Sequence, residues 1–212
     1  MNYIIKPALT LFITATVTVA ALSIAYNYTL DPIERQKRKT QETAMRIVLP
    51  RASEYREIQT EKTGSIAAVY EGHFTHEALY GSDLVGYVVK LTPEGYSGKI
   101  DLIVGFSISD ELITGMRVLR HTETPGLGAL AVKENFYSQF SSLNIVPLSV
   151  VRTSPGENEI QAITSSTITT KAITNAVNEA VNWYLNIGAQ ISEFEDDEEN
   201  DFIIHYFLGD EE

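Results

Sequence analysis

Two segments of this 212-residue chain concentrate side chains able to do chemistry. The first runs Ala162-Ile163-Thr164-Ser165-Ser166-Thr167-Ile168-Thr169-Thr170-Lys171. Four consecutive hydroxyl residues, Thr164 to Thr167, are more than one helix cap requires. They stand where a strongly periodic segment begins, and the first N–H groups of a helix are free to hold an anion such as phosphate. Taken on spacing alone, a Ser/Thr cap is the plainer reading. The second segment is His121-Thr122-Glu123-Thr124-Pro125-Gly126-Leu127-Gly128, with Gly95-Tyr96-Ser97-Gly98 upstream of it. Pro125-Gly126 suits a type II turn, in which Gly takes the positive φ. Such a turn lets backbone come close to a flat ligand, although by itself it reads more simply as a turn after a strand.

What the chain lacks narrows the chemistry. It has no cysteine, which excludes a disulfide framework, a thiolate nucleophile, a Cys-ligated zinc and an iron–sulfur cluster. Of the four histidines, His73 and His76 are spaced to share a metal, but no third ligand is suitably placed, so no metal site is expected. No G-x-S-x-G, P-loop or dinucleotide fingerprint is present, so hydrolase, kinase and dehydrogenase readings have no support. The formal net charge of -12 makes nucleic acid an unsuitable partner, because phosphate contacts need clustered Lys and Arg. Ten of the 28 acids lie between Glu193 and Glu212, which holds no Lys or Arg, so the rest of the chain is near neutral.

The elements that must position these residues begin with a membrane segment. From Pro7 to Leu30 no residue is charged. A helix of that length reaches roughly 36 Å, enough for a hydrocarbon core of about 30 Å with some tilt. Thr10, Thr14, Thr16 and Thr18 can bond back to helix carbonyls, and Tyr26 and Tyr28 fall where an interfacial aromatic belt would lie. A cleaved signal peptide is the alternative, but the run is long for one and shows no clear cleavage site. Charge makes the orientation ambiguous: Lys6 flanks one side, and Arg35, Lys37, Arg38 and Lys39, interrupted by Asp31 and Glu34, flank the other, so a strict positive-inside count would place the body in the cytoplasm.

Beyond the span, Asp31-Pro32-Ile33-Glu34 reads as a helix start, with Asp31 as N-cap, and the helix is expected to run to Val48. Arg51 to Thr63 reads as a charged connection. Short β-branched or aromatic segments follow at Ser65–Tyr70, Leu84–Leu91, Lys99–Phe106 and Ile113–Leu119, separated by turn residues, and they predict an antiparallel sheet. Ile100, Leu102 and Val104 alternate with Asp101, Ile103 and Gly105, which predicts a half-buried strand. Val132–Phe140 is a short helix candidate, and Glu159–Ile163 one more strand. Ile173, Ala176/Val177, Ala180/Val181 and Tyr184/Leu185 form one broad apolar face, so a helix is expected from Thr167 to a C-cap at Gly188. The acidic tail contains the apolar stretch Phe202–Leu208, which suggests docking onto a partner or onto the domain itself.

The whole combination resembles the flavin-binding G subunit (RnfG, also RsxG) of the Rnf ion-translocating electron-transport complex. The likeness rests on the single N-terminal span, Asp31-Pro32-Ile33, Val48-Leu49-Pro50, Gly95 to Gly98, His121 to Gly128, and Thr164 to Val177. The histidine-to-glycine block is specific to this family and to its sister, the NqrC component of the sodium-pumping NADH:quinone reductase. The resemblance implies FMN joined by a phosphoester to the Thr that ends a Ser/Thr-Gly-Ala-Thr motif. Here the matching residues are Thr164, Ser165, Ser166 and Thr167, which makes Thr167 the expected attachment point. Thr164, Ser165, Ser166 and Thr169 are weaker candidates for it. Ser165-Ser166 stands where the motif has Gly-Ala, and Gln161 where Asp is usual. Tyr96, Ser97, His121, Glu123, Thr124, Gly126, Leu127, Gly128, Thr164, Ser165 and Ser166 are the expected cofactor-binding residues.

The fold so implied is α+β: a single N-terminal transmembrane helix, then an FMN-binding domain with an antiparallel sheet and packed helices. The expected divisions are an anchor over 1–30, a helical stalk and connection over 31–63, the FMN-binding domain over 64–190, and the acidic tail over 191–212. The implied role is electron relay through covalent FMN in a complex coupling ferredoxin:NAD electron transfer to ion movement, as a carrier that is not catalytic alone. A flavin transferase is the implied maturation partner, alongside membrane and peripheral subunits of the complex. The implied placement is a single pass of the inner (plasma) membrane, N-terminus cytoplasmic and domain outside. Two alternatives remain: the NqrC-like component of a quinone reductase, and a membrane-anchored binding or assembly module without flavin.

Overall fold

The computed structural model describes residues 2–58, 74–81 and 83–195. The chain divides into two compact units, residues 1–43 and 44–212. Helix α1 (Asn2–Val48) makes up the described part of the first unit and enters the second with its final turn. It is long and apolar enough to cross a membrane, with a mean hydropathy of 2.1 in its most apolar window. Leu11, Phe12, Val17, Val19, Leu22 and Ile24 are all exposed, as side chains meant for lipid must be. The threonine hydroxyls are satisfied locally: Thr10, Thr14, Thr16 and Thr18 donate to carbonyls four residues back, at 2.8–3.0 Å. The helix runs through Pro32 unbroken, so the separate start expected at Asp31 is not made.

The second unit is built on an antiparallel meander, β1 (Glu54–Ile58), β2 (Phe74–Tyr80), β3 (Asp83–Leu91), β4 (Ile100–Ser107), β5 (Leu112–His121) and β6 (Leu143–Asn144), in that spatial order. Between β5 and β6 lie a 3-10 turn (Gly128–Val132), the one-turn helix α2 (Glu134–Tyr137) and a second 3-10 turn (Ser138–Phe140). They occupy most of the segment expected as one helix over Val132–Phe140. The parallel pair β7 (Ser149–Val151) and β8 (Glu159–Gln161) forms a small second sheet. Helix α3 (Thr167–Glu195) completes the domain, starting at the expected residue but passing Gly188, which caps nothing.

One face of the sheet buries the expected stripe of α3. Ile173, Val177 and Val181 are fully buried with Val89, Leu102, Val104 and Phe106, and each such side chain contributes about 1.5–3 kcal/mol by leaving water. Trp183 and Tyr184 meet the ring of Tyr87 edge-on, and Tyr184 stacks on Phe106. Burial pushes the Tyr87 phenol up to about 12, with Glu77 and Tyr184 adding to it.

The other face is covered too, which corrects the half-buried reading of β4. Ala44, Met45, Val48 and Leu49, at the end of α1 and just beyond it, pack with Ala78, Val88 and Ile103 in a second cluster. The backbone comes close there because Gly105 has no side chain: a Cβ on it would stand 2.9 Å from the Val48 carbonyl oxygen. Within the stretch read as a charged connection the chain forms β1, which pairs with β2. The strand expected over Ser65–Tyr70 and the tail beyond Glu195 lie outside the described residues.

Candidate functional site

Both chemistry-bearing segments are shaped by turns. Leu127 N–H donates to the Thr124 carbonyl at 3.1 Å, with Pro125 and Gly126 between them and Gly126 at φ +78°. This is the type II pattern that Pro-Gly predicts. Ser166 N–H donates to the Ile163 carbonyl at 2.9 Å across Thr164 and Ser165, and Ser165 takes φ +62°. The second turn therefore has the same form, with Ser in the place that glycine favours. The family's Gly at that motif position has its reason here: a residue with a Cβ pays roughly 1–2 kcal/mol for left-handed backbone.

Ser166 then stands as the N-cap of α3, its carbonyl accepting from Thr170 N–H at 3.1 Å. The Thr170 hydroxyl donates to that same carbonyl at 3.0 Å and accepts from Ile163 N–H at 3.1 Å, which fastens the turn to the helix. Gln161, the other departure from the family motif, is exposed at the end of β8; its backbone N–H donates to Gln139 Oε1 at 2.7 Å.

Glu123 joins the two segments. It is only 5% exposed, and both carboxylate oxygens are engaged. Oε1 accepts from Ser97 N–H at 2.8 Å, and Oε2 accepts from the Thr169 hydroxyl at 2.6 Å. Its own N–H donates to His121 Nδ1 at 3.2 Å, so the neutral imidazole carries its proton on Nε2. Ser166 Oγ lies 3.0 Å from Thr169 Oγ1. Because Thr169 gives its one proton to Glu123, Ser166 is the donor in that contact. Gly128 lies against the same group: a Cβ there would overlap Glu123 Oε2 and stand 2.7 Å from Thr169 Oγ1.

Of the expected cofactor residues, the structure thus gathers Ser97, His121, Glu123, Gly128 and Ser166 around one buried carboxylate. Ser97 Oγ also lies 3.4 Å from Thr124 Oγ1. Tyr96, Gly126, Leu127, Thr164 and Ser165 stay exposed at the rim, Tyr96 by 71%. The sequence motif offers Thr169 only as an attachment point; its hydroxyl is committed to Glu123 instead. A signal for that inward role is present, since Thr169 and Thr170 continue the Ile173, Ala176/Val177 stripe one turn upstream.

The hydroxyls of the motif fall into two groups. Ser166, Thr169 and Thr170 are buried and hydrogen-bonded. Thr167 is half-buried at the first position of α3, and neither its hydroxyl nor those of Thr164 and Ser165 makes a hydrogen bond among the described residues. The chemistry of this donor set fits a flavin phosphate: an uncommitted hydroxyl, the free N–H groups of a helix start, and open space above Gly126, where a Cβ would meet nothing within 4 Å.

Comparisons with known proteins agree with this geometry. The family described as FMN-binding domain matches residues 95–182, from the Gly95 turn through most of α3. The G subunit of the Na⁺-translocating ferredoxin:NAD⁺ oxidoreductase complex of Acetobacterium woodii is 34% identical, over 87% of this chain and 93% of that protein. The G subunit of the proton-translocating ferredoxin:NAD⁺ oxidoreductase complex of Clostridium ljungdahlii is 32% identical, over 82% and 89%. Among solved structures, the C subunit of the Na⁺-translocating NADH-quinone reductase of Parabacteroides distasonis shares the fold, with a TM-score of 0.53 and 17% identity over 71% of this chain and 93% of that one. With relatives so similar over nearly their whole length, this chain belongs to the RnfG/RsxG family, the G subunits of the Rnf/Rsx ion-translocating oxidoreductase complexes.

Proposed function

We propose that this chain is a membrane-anchored electron carrier that holds FMN covalently on Thr167 and relays electrons inside an Rnf-type complex. The observation that carries the reading is the Thr167 hydroxyl, unbonded among the described residues at the first position of α3, whereas the other unbonded hydroxyls, those of Thr164 and Ser165, stand in the turn before the helix. In the attachment, the Thr167 oxygen attacks the flavin-side phosphorus of a flavin phosphoanhydride held by a flavin transferase. The phosphoanhydride bond breaks, and the other phosphate half leaves. The Thr167 proton passes to the transferase or solvent, and the Thr167 oxygen becomes the bridging oxygen of the phosphoester. The free N–H groups and positive end of α3 stabilise the phosphate charge. Tyr96, Leu127 and the turn at Gly126 border the space for the ring, and His121 presents an Nε2 proton at its edge. FMN, when bound, supplies one- and two-electron chemistry, and the protein's part is to position and tune it.

The anchor reading rests on α1; the orientation proposed with it, domain outside the cytoplasm and N-terminus inside, is what the family resemblance implies. The partners are membrane and peripheral subunits of the complex. Two relatives of nearly equal identity are named for different ions, so the family serves both Na⁺ and H⁺ translocation. The test is intact mass and a flavin spectrum of the denatured full chain made alongside a flavin transferase. A mass gain of one FMN less one water is expected, and Thr167→Val should abolish it. Flavin fluorescence persisting on a denaturing gel in that variant would sink the assignment.

A further inference from the structure

We infer that Glu123 is a positioning residue: its buried carboxylate fixes the first turn of α3 against the Gly95–Gly98 turn, and so sets where the Thr167 hydroxyl stands, without meeting the flavin. The inference rests on Thr167 as the attachment point. The buried carboxylate has each oxygen engaged, one by Ser97 N–H and the other by the Thr169 hydroxyl, and the Glu123 N–H is held by His121. The space around it is shaped to that group alone, because a Cβ on Gly128 would overlap Oε2 and one on Gly95 would stand 2.5 Å from Oε1. The two partners are 26 and 46 residues away in sequence. The Gly95–Gly98 turn is also held to the segment after β5 by the Thr122 hydroxyl, which donates to the Ser97 carbonyl at 3.3 Å, and Glu123 carries the hydrogen-bonded tie on to α3.

The link to Thr167 is helical geometry. Two residues along an α-helix turn by about 200°, so drawing Thr169 inward onto Glu123 faces Thr167 outward. Thr169 in turn takes the proton of Ser166, the N-cap, so the run Ser166, Thr169, Glu123, Ser97 fixes both the start of α3 and its rotation. The amide of Gln at position 123 can replace the carboxylate. Its oxygen accepts from Ser97, its NH₂ donates to Thr169, and the Thr169 proton swings round to Ser166.

The test uses the full chain in membranes with a limiting amount of flavin transferase. It reads covalent flavin per chain, the flavin midpoint potential, and hydrogen exchange of the segment carrying Ser97 in the flavin-free protein. Thr169→Val, nearly isosteric, should lower flavin loading and speed exchange at Ser97 about tenfold, the factor set by the one bond it takes from Glu123. Glu123→Ala, which also strips the Ser97 N–H of its acceptor, should do both by more. Glu123→Gln and Thr169→Ser should stay within about twofold of the parent, since both keep the run. The double variant should fall well short of the sum of the two singles, because both remove the Glu123–Thr169 contact. Should Glu123→Ala shift the potential while Thr169→Val leaves it alone, or their losses add, Glu123 meets the flavin and the inference is overturned. Unchanged loading and exchange in Thr169→Val overturn it as well. The attachment reading fails separately, through Thr167→Val retaining flavin; exchange at Ser97 in the flavin-free protein still decides the clamp.

Discussion

The turns at Thr124–Leu127 and Ile163–Ser166 have the same hydrogen bond and the same positive φ at their third residue, but they are made from different material. In the first, Pro125 pre-sets one dihedral and Gly126 takes the other without strain. In the second, Thr164 and Ser165 carry no such preference. Its conformation is imposed from outside, by Thr170 gripping the Ile163 N–H and by the run from Ser166 to Glu123. One turn is encoded locally, and the other is held by tertiary contacts. The held turn is the one beside the proposed attachment hydroxyl, where a fixed position matters most.

Substitutions can break or sharpen this contrast. Gly128→Val should have the largest effect, since it drives a side chain into the carboxylate that holds the second turn. Overpacking and the lost charged hydrogen bond together cost about 3–5 kcal/mol, read as a fall in thermal midpoint of the solubilised chain. Thr170→Val strips a buried N–H of its acceptor and should cost about 1–3 kcal/mol in the same measurement, with covalent flavin reduced. A Cβ on Gly126 would meet nothing within 4 Å, so the cost of Gly126→Val is set chiefly by backbone strain, about 1–2 kcal/mol. It should impair electron transfer while membrane insertion is unchanged; full activity with an unaltered flavin spectrum would make that turn purely structural. Smallest is Ser165→Gly, which relieves the left-handed strain but loosens the unfolded chain. A net gain below about 1 kcal/mol is expected, and a loss would mean the Ser165 side chain is making a contact of its own.

The same division explains what can be read from the sequence. The local turn is legible, because Pro-Gly states its own geometry. So are β3 to β5 and the start of α3, whose apolar periods are regular. β2 is not, because Thr75, His76 and Glu77 interrupt its apolar residues and the adjacent Ala78 and Leu79 are both buried, so it shows no apolar–polar alternation. The register shift beside them leaves Val85 of β3 as the extra residue. β1 is an edge strand with charge at three of its five positions, and it pairs without a hydrophobic face of its own. The second covered face of β4 is hidden, since its cover comes from the end of a helix that reads as a polar stalk. Glu123 enters the expected site through the family resemblance alone. Its partner on α3 lies 46 residues on, and no spacing rule links a turn to a helix at that distance.

The direction of the hydroxyl run has an evolutionary consequence. Protons point one way, from Ser166 through Thr169 to Glu123, so position 166 is the free end of the chain and position 169 a middle link. A free end can be trimmed: Ala at 166, as in the family motif, removes a donor and strands no acceptor. A middle link tolerates only another hydroxyl, and position 123 only Glu or Gln. Drift within this family should therefore run freely through 166, favour Gly at the left-handed 165, and admit at 123, 128 and 169 only changes that keep the run.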